Sequence, residues 1–135
     1  MKIILASHGS LADAMLKVLR MIMGDDDDVE SFSLDTYENP VALSQAVEKR
    51  IESLSSVVLV CDIKGGSIFN HLLPFCARRG VTLFSGMNLD LVLSLVNSGG
   101  GADLENAALD AKAGILRFDA ELLEKMKNEN DADSF

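Results

Sequence analysis

Long apolar runs are missing from this sequence. Stretches such as Ile3-Ile4-Leu5-Ala6 and Val57-Val58-Leu59-Val60-Cys61 end after a few residues, well short of the roughly 20 that a membrane-crossing helix needs. No bilayer span is therefore expected. The chain passes from Met1 and Lys2 straight into a strand-like run, without the longer apolar stretch and cleavage site of a secretory signal, so a cytoplasmic location is expected. Cysteine is scarce. Cys61 and Cys76 both lie in apolar sequence, which suits small core residues in a reducing compartment better than a disulfide framework. Positive charge is scarce too. With 12 Lys and Arg against 21 Asp and Glu, the formal net charge is -9, which argues against a nucleic-acid partner, since that affinity comes mainly from cations neutralising phosphates. Proteins or small molecules are the expected partners.

Metal-ligand spacing is also absent. The run Asp25 to Asp28 lacks the alternating ligands and the Gly of a calcium loop, so it reads as a solvated turn. No metal or cofactor is called for, and no internal repeat is visible.

What is present is an alternation of short apolar runs and helical periodicity. The 135 residues, 48% of them hydrophobic, suffice for one domain and are too few for two. Residues 1–127 are expected to form that domain, followed by a polar, frayed tail over 128–135. Lys2 to Ser7 predicts a buried strand, and Leu11, Met15, Val18 and Ile22 then recur as one face of a helix closed by Gly24. Val29 to Leu34 predicts a weaker strand. Asn39-Pro40 supplies an N-cap with Pro at the first helical position, ahead of a helix faced by Leu43, Val47, Ile51 and Leu54. Val57 to Cys61 is a continuous apolar run, the pattern of a strand covered on both faces.

A third helix is expected over Ser67 to Arg79, with Ile68, Leu72 and Phe75 inward, and a fourth strand over Val81 to Ser85. Helical segments at Asn88–Val96 and Ala102–Lys112 flank Gly99-Gly100-Gly101. Ile115, Leu116 and Phe118 suggest a last strand, and Asp119 caps a final helix containing Leu122, Leu123 and Met126.

This alternation calls for an α/β fold with a doubly wound, mostly parallel sheet in flavodoxin-like strand order. In such folds ligands sit beyond the carboxyl ends of the strands where the strand order reverses, here between the first and third strands. Two loops occupy that place: Ser7-His8-Gly9-Ser10 and Asp62 to Ser67.

The loops hold complementary chemistry. An imidazole titrates near about 6.5, so His8 can be neutral at cellular pH, with one nitrogen protonated and the other a free lone pair. If Asp62 accepts from one nitrogen, it fixes the tautomer and stabilises the charge that grows on the ring as the other nitrogen attacks. Gly65-Gly66-Ser67 precedes a helix, where unpaired N–H groups and the helix dipole favour an anion. Gly at both positions allows close approach to phosphoryl oxygens, and the Ser67 hydroxyl can donate one more bond. Ser10 could do the same from the opposite wall. A lone loop histidine or a Gly-Gly turn is commonplace; their meeting across two facing loops is what makes a site. His71, inside the third helix with no evident partner, reads as a peripheral helix residue.

These residues match a known pattern. The chain resembles, over nearly its whole length, the IIA components of mannose-family phosphoenolpyruvate-dependent sugar phosphotransferase systems. Three segments carry the resemblance: Ser7-His8-Gly9-Ser10-Leu11-Ala12 after the first strand, Asp62-Ile63-Lys64-Gly65-Gly66-Ser67-Ile68-Phe69-Asn70 after the third, and Gly86-Met87-Asn88-Leu89. The resemblance implies that His8 takes a phosphoryl group from the phosphocarrier protein HPr and gives it to a IIB component. Asp62 would orient the ring through the other nitrogen, and Ser67 with neighbouring amides would hold the phosphoryl oxygens. It also implies a homodimer in which a C-terminal antiparallel strand, near Ile115 to Phe118, is exchanged between subunits, and a link to the membrane only through IIC and IID components. The sequence departs from the pattern at Leu11, where Phe is frequent, at Ile68, where Pro is usual, and at Asp90, where Pro is common. Two other readings remain: a phosphoryl-donor subunit of a dihydroxyacetone kinase, and a non-catalytic anion-binding or regulatory domain.

Overall fold

The structure of the protein is a computed structural model that describes residues 1–98 and 103–133. Among the described residues four strands, β1 (Lys2–Ser7), β2 (Val29–Ser33), β3 (Val57–Cys61) and β4 (Val81–Phe84), form one sheet in the order β2-β1-β3-β4. All pairings are parallel, and the register sets Ala6 of β1 opposite Cys61 of β3. The two central strands thus end together, which delivers His8 and Asp62 to the same edge.

Among the described residues six α-helices accompany the sheet: α1 (Leu11–Met23), α2 (Pro40–Ile51), α3 (Ser67–Leu72), α4 (Leu89–Asn97), α5 (Leu104–Ala113) and α6 (Ala120–Asp133). Successive strand residues point to opposite faces, and both faces are covered. Ile3, Leu5, Val58 and Val60 pack with Ala12, Leu16 and Leu19 of α1, Leu91 and Leu95 of α4, and Ala107 and Ala111 of α5. Ile4, Ala6, Leu59 and Cys61 pack with Leu43 and Val47 of α2 and Ile68 and Leu72 of α3. Central-strand residues such as Leu5 and Leu59 are fully buried, so truncating either to Ala costs about 2–5 kcal/mol. Among the described residues no helix is long and apolar enough to cross a membrane.

Several expectations are corrected. The buried face of α1 is Ala12, Leu16 and Leu19, whereas Leu11, Val18 and Ile22 are exposed and Met15 is half-buried. Two bonds fix the roll of this helix: the Ala12 N–H donates to Ser7 Oγ at 2.7 Å and the Asp13 N–H to Ser33 Oγ at 3.0 Å. The third helix ends at Leu72 and continues as a 3₁₀ turn over Leu73–Ala77, because Pro74 has no N–H to extend the α-helical ladder. Cys61 is buried as expected, but Cys76 is exposed on that turn.

No strand forms from Ile115–Phe118 in this chain. A strand exists only where a neighbour meets its N–H and C=O groups, and here Ile115, Leu116 and Phe118 are 74%, 66% and 60% exposed. The expected tail from residue 128 instead continues α6 to Asp133; the helix is launched by Asp119, whose Oδ1 accepts from the Leu122 N–H at 3.0 Å. Gly99-Gly100-Gly101, Ala102 and the last two residues lie outside the described residues.

Candidate active site

His8 is the first residue past β1 and Asp62 the first past β3. The His8 loop is tied down by its neighbours. Ser7 Oγ caps α1, and the Gly9 carbonyl accepts from the Asp35 N–H at 3.2 Å, from the turn after β2. The third motif comes alongside because the Met87 N–H donates to the Cys61 carbonyl at 3.1 Å, and Asn88 then caps α4 through the Leu91 N–H at 2.8 Å.

Across the crevice, Asp62 Oδ2 accepts from the His8 backbone N–H at 2.8 Å and lies 2.8 Å from His8 Nδ1. The other oxygen, Oδ1, accepts from the Ile63 N–H at 3.0 Å. An ionised carboxylate only accepts, so Nδ1 carries the ring proton. In the neutral ring Nε2 keeps its lone pair, and Ser67 Oγ, 3.0 Å away, can donate its hydroxyl proton to it. The histidine side chain is 45% exposed and the aspartate 12%, so the carboxylate is sheltered while the ring's far side meets solvent.

Burial pulls the Asp62 carboxyl upward, but the His8 N–H, the His8 ring and the Ile63 N–H together outweigh it, and the group stands below the ordinary aspartate range. Asp62 is thus held ionised. Beneath it, burial and the Asp62 charge push the Cys61 thiol up to about 11, which makes it an inert core residue rather than a nucleophile.

The glycines act through geometry. Gly65 has φ +81°, the backbone of the third residue in a type II turn, where a side chain is strained. That turn is closed by the Gly66 N–H donating to the Ile63 carbonyl at 3.3 Å. A Cβ on Gly66 would meet Ile63 Cγ2 at 2.9 Å and His8 Cε1 at 3.3 Å, so the loop lies against the imidazole only because this residue has none.

His8, Asp62, Ser67 and Gly66 are therefore brought together as the sequence predicts, with Gly65 shaping the turn. Ser10 is exposed and its hydroxyl makes no hydrogen bond to His8, Asp62 or Ser67. His71 is exposed on α3. Sequence reasoning missed Ser7, the Ile63 amide and Asn70, whose Nδ2 donates to the Gly65 carbonyl at 3.3 Å. A polar residue closing a buried strand was the available signal for Ser7. A sheltered carboxylate, an imidazole held by it through Nδ1 and a hydroxyl beside Nε2 can perform nucleophilic attack when the ring is neutral.

The family model of the PTS system fructose IIA component, EIIA-man, matches residues 2–112. The chain belongs to this family. Its role is that of a phosphotransferase-system IIA component, and membership implies HPr and IIB components as partners. Among solved structures, the PTS IIA protein associated with the fucose utilization operon of Streptococcus pneumoniae is 27% identical, with a TM-score of 0.78 over 86% of this chain and 91% of that one. Two others share the fold: component EIIA from Streptococcus agalactiae, 24% identical with a TM-score of 0.74 over 87% of this chain and 96% of that one, and the mannose/sorbose specific IIA subunit from Enterococcus faecalis, 21% identical with a TM-score of 0.67 over 87% and 94%. No curated protein matches the chain.

Proposed function

We propose that this IIA component carries a phosphoryl group on Nε2 of His8, taking it from phospho-HPr and passing it to a IIB component in coupled sugar uptake and phosphorylation. The carrying observation is the ring held between two partners, Nδ1 on Asp62 at 2.8 Å and Nε2 facing Ser67 at 3.0 Å. In the forward step the Nε2 lone pair forms the new N–P bond as the N–P bond of the donor's phosphohistidine breaks and its electron pair returns to the donor ring. Nδ1 keeps its proton, and Asp62 offsets the positive charge on the phosphorylated imidazole. The Ser67 hydroxyl turns from Nε2 to a phosphoryl oxygen, aided by Gly65 and nearby amides of the loop, and Ser10 supplies a further donor from the opposite rim. Transfer to the IIB component reverses these steps on a new acceptor.

The working form on this reading is a cytoplasmic homodimer that meets the membrane only through IIC and IID components. The outer edge of β4 is unpaired among the described strands, and beside it runs a groove of about 210 Å³ lined by Phe84, Gly86, Leu91, Ala111 and Ile115. Ile115–Phe118 of a second copy would add an antiparallel strand there, burying the apolar side chains that one protomer leaves exposed.

Incubation with phosphoenolpyruvate, enzyme I and HPr, followed by mapping of acid-labile phosphate at basic pH, tests the reading. One phosphate on the peptide containing His8, absent from His8→Ala, is expected. Full labelling of His8→Ala would refute it.

A further inference from the structure

The turn that Gly66 presses against the imidazole has Ile63 and Gly66 at its ends and Lys64 and Gly65 at its tip. Lys64 is exposed and takes part in none of the ion pairs among the described residues. Two residues of chain span at most about 7 Å, so Lys64 starts within that distance of Gly66, where an added Cβ would come 3.3 Å from His8 Cε1, and a lysine's flexible four-carbon stem can cover the gap.

Charge gives that position a consequence. A phosphoryl group on His8 carries about -1.5 to -2 at neutral pH, and it would arrive on a ring already 2.8 Å from the Asp62 carboxylate. Across the three motif segments, residues 7–12, 62–70 and 86–89, Lys64 is the single Lys or Arg; Lys112 of α5 lines the groove that Gly86 and Asn88 border.

We propose that Lys64 is the counter-cation of the phosphorylated site, swinging from the turn tip onto the phosphoryl oxygens once His8 is loaded. This rests on the reading of His8 as the carrier. Lys64 then favours the loaded state of this protein over loaded HPr, while leaving the empty site unchanged.

The test compares full-length Lys64→Gln, Lys64→Arg and parent protein, each loaded through enzyme I and HPr and followed by ³¹P NMR. For Lys64→Gln, the equilibrium ratio of loaded protein to loaded HPr falls about 3- to 10-fold and the midpoint of the phosphoryl titration rises by about half to one unit. Lys64→Arg restores both, as a cation should and a merely structural residue would not. Unchanged ratio and midpoint in Lys64→Gln, with His8 loaded in all three proteins, would overturn the Lys64 role alone. A parent protein that takes no phosphate on His8 would overturn the carrier reading and this proposal with it.

Discussion

One oxygen of Asp62, Oδ2, stands 2.8 Å from both the backbone nitrogen and the ring Nδ1 of His8. The carboxylate thereby fixes the loop and the imidazole at once, and its second oxygen is itself fixed by the Ile63 N–H. Ring orientation is thus set before any substrate arrives, which would remove a reorganisation cost from the proposed transfer step.

Replacing Asp62 with Asn separates these duties. The amide oxygen can still accept from the His8 N–H, so the fold is retained, but no negative charge remains to balance the imidazolium that forms during transfer. Stopped-quench transfer from phospho-HPr is expected to slow roughly 100-fold. An unchanged rate would remove Asp62 from the mechanism.

The same carboxylate makes stability depend on pH. Its folded pKa is lowered, below an unfolded value of about 3.9, so the unfolded chain binds the proton more readily and folding is favoured above that value. This contribution is complete above about pH 5 and is lost as pH falls through the folded pKa. Urea unfolding of parent and Asp62→Asn at successive pH values should show the parent's advantage near neutrality shrinking below about pH 4. A gap that stays constant into acid contradicts the assignment.

Gly66→Ala tests the close approach. Its Cβ would crowd Ile63 Cγ2 and His8 Cε1, and relief requires the Ile63 side chain and the turn or the ring to shift. A stability loss of about 1–3 kcal/mol is expected, together with slower transfer and a changed His8 ring signal in NMR. Wild-type kinetics in this variant would show that the contact is dispensable.

Much of this was legible in the sequence. Val57 to Cys61 reads as a central strand because five apolar residues in succession suit only a strand buried on both faces, and the ends of β1 and β3 then locate His8 and Asp62. The roll of α1 was not legible. Leu11-Met15-Val18-Ile22 and Ala12-Leu16-Leu19 both have helical spacing, and the choice between them is made by Ser7 and Ser33, distant in sequence and joined only by the fold. The break after Leu72 follows from Pro74, a local signal that the long helix reading passed over. Ile115–Phe118 has strand composition without a strand, because no strand edge of this chain pairs with it.

That segment yields a prediction about assembly. Leu116 and Phe118 are exposed in the protomer, so Leu116→Asp with Phe118→Asp disturbs no packing inside it. Sedimentation should show a dimeric parent and a folded monomer for the double variant. A monomeric parent would rule out strand exchange.

The most direct measurement is the identity of the phosphorylated nitrogen. Long-range ¹H–¹⁵N correlation on the loaded protein, with ³¹P coupling, distinguishes Nε2 from Nδ1. Phosphate on Nε2 of His8, with Nδ1 still protonated toward Asp62, is the predicted result. Phosphate on Nδ1, or on any residue other than His8, would contradict the account.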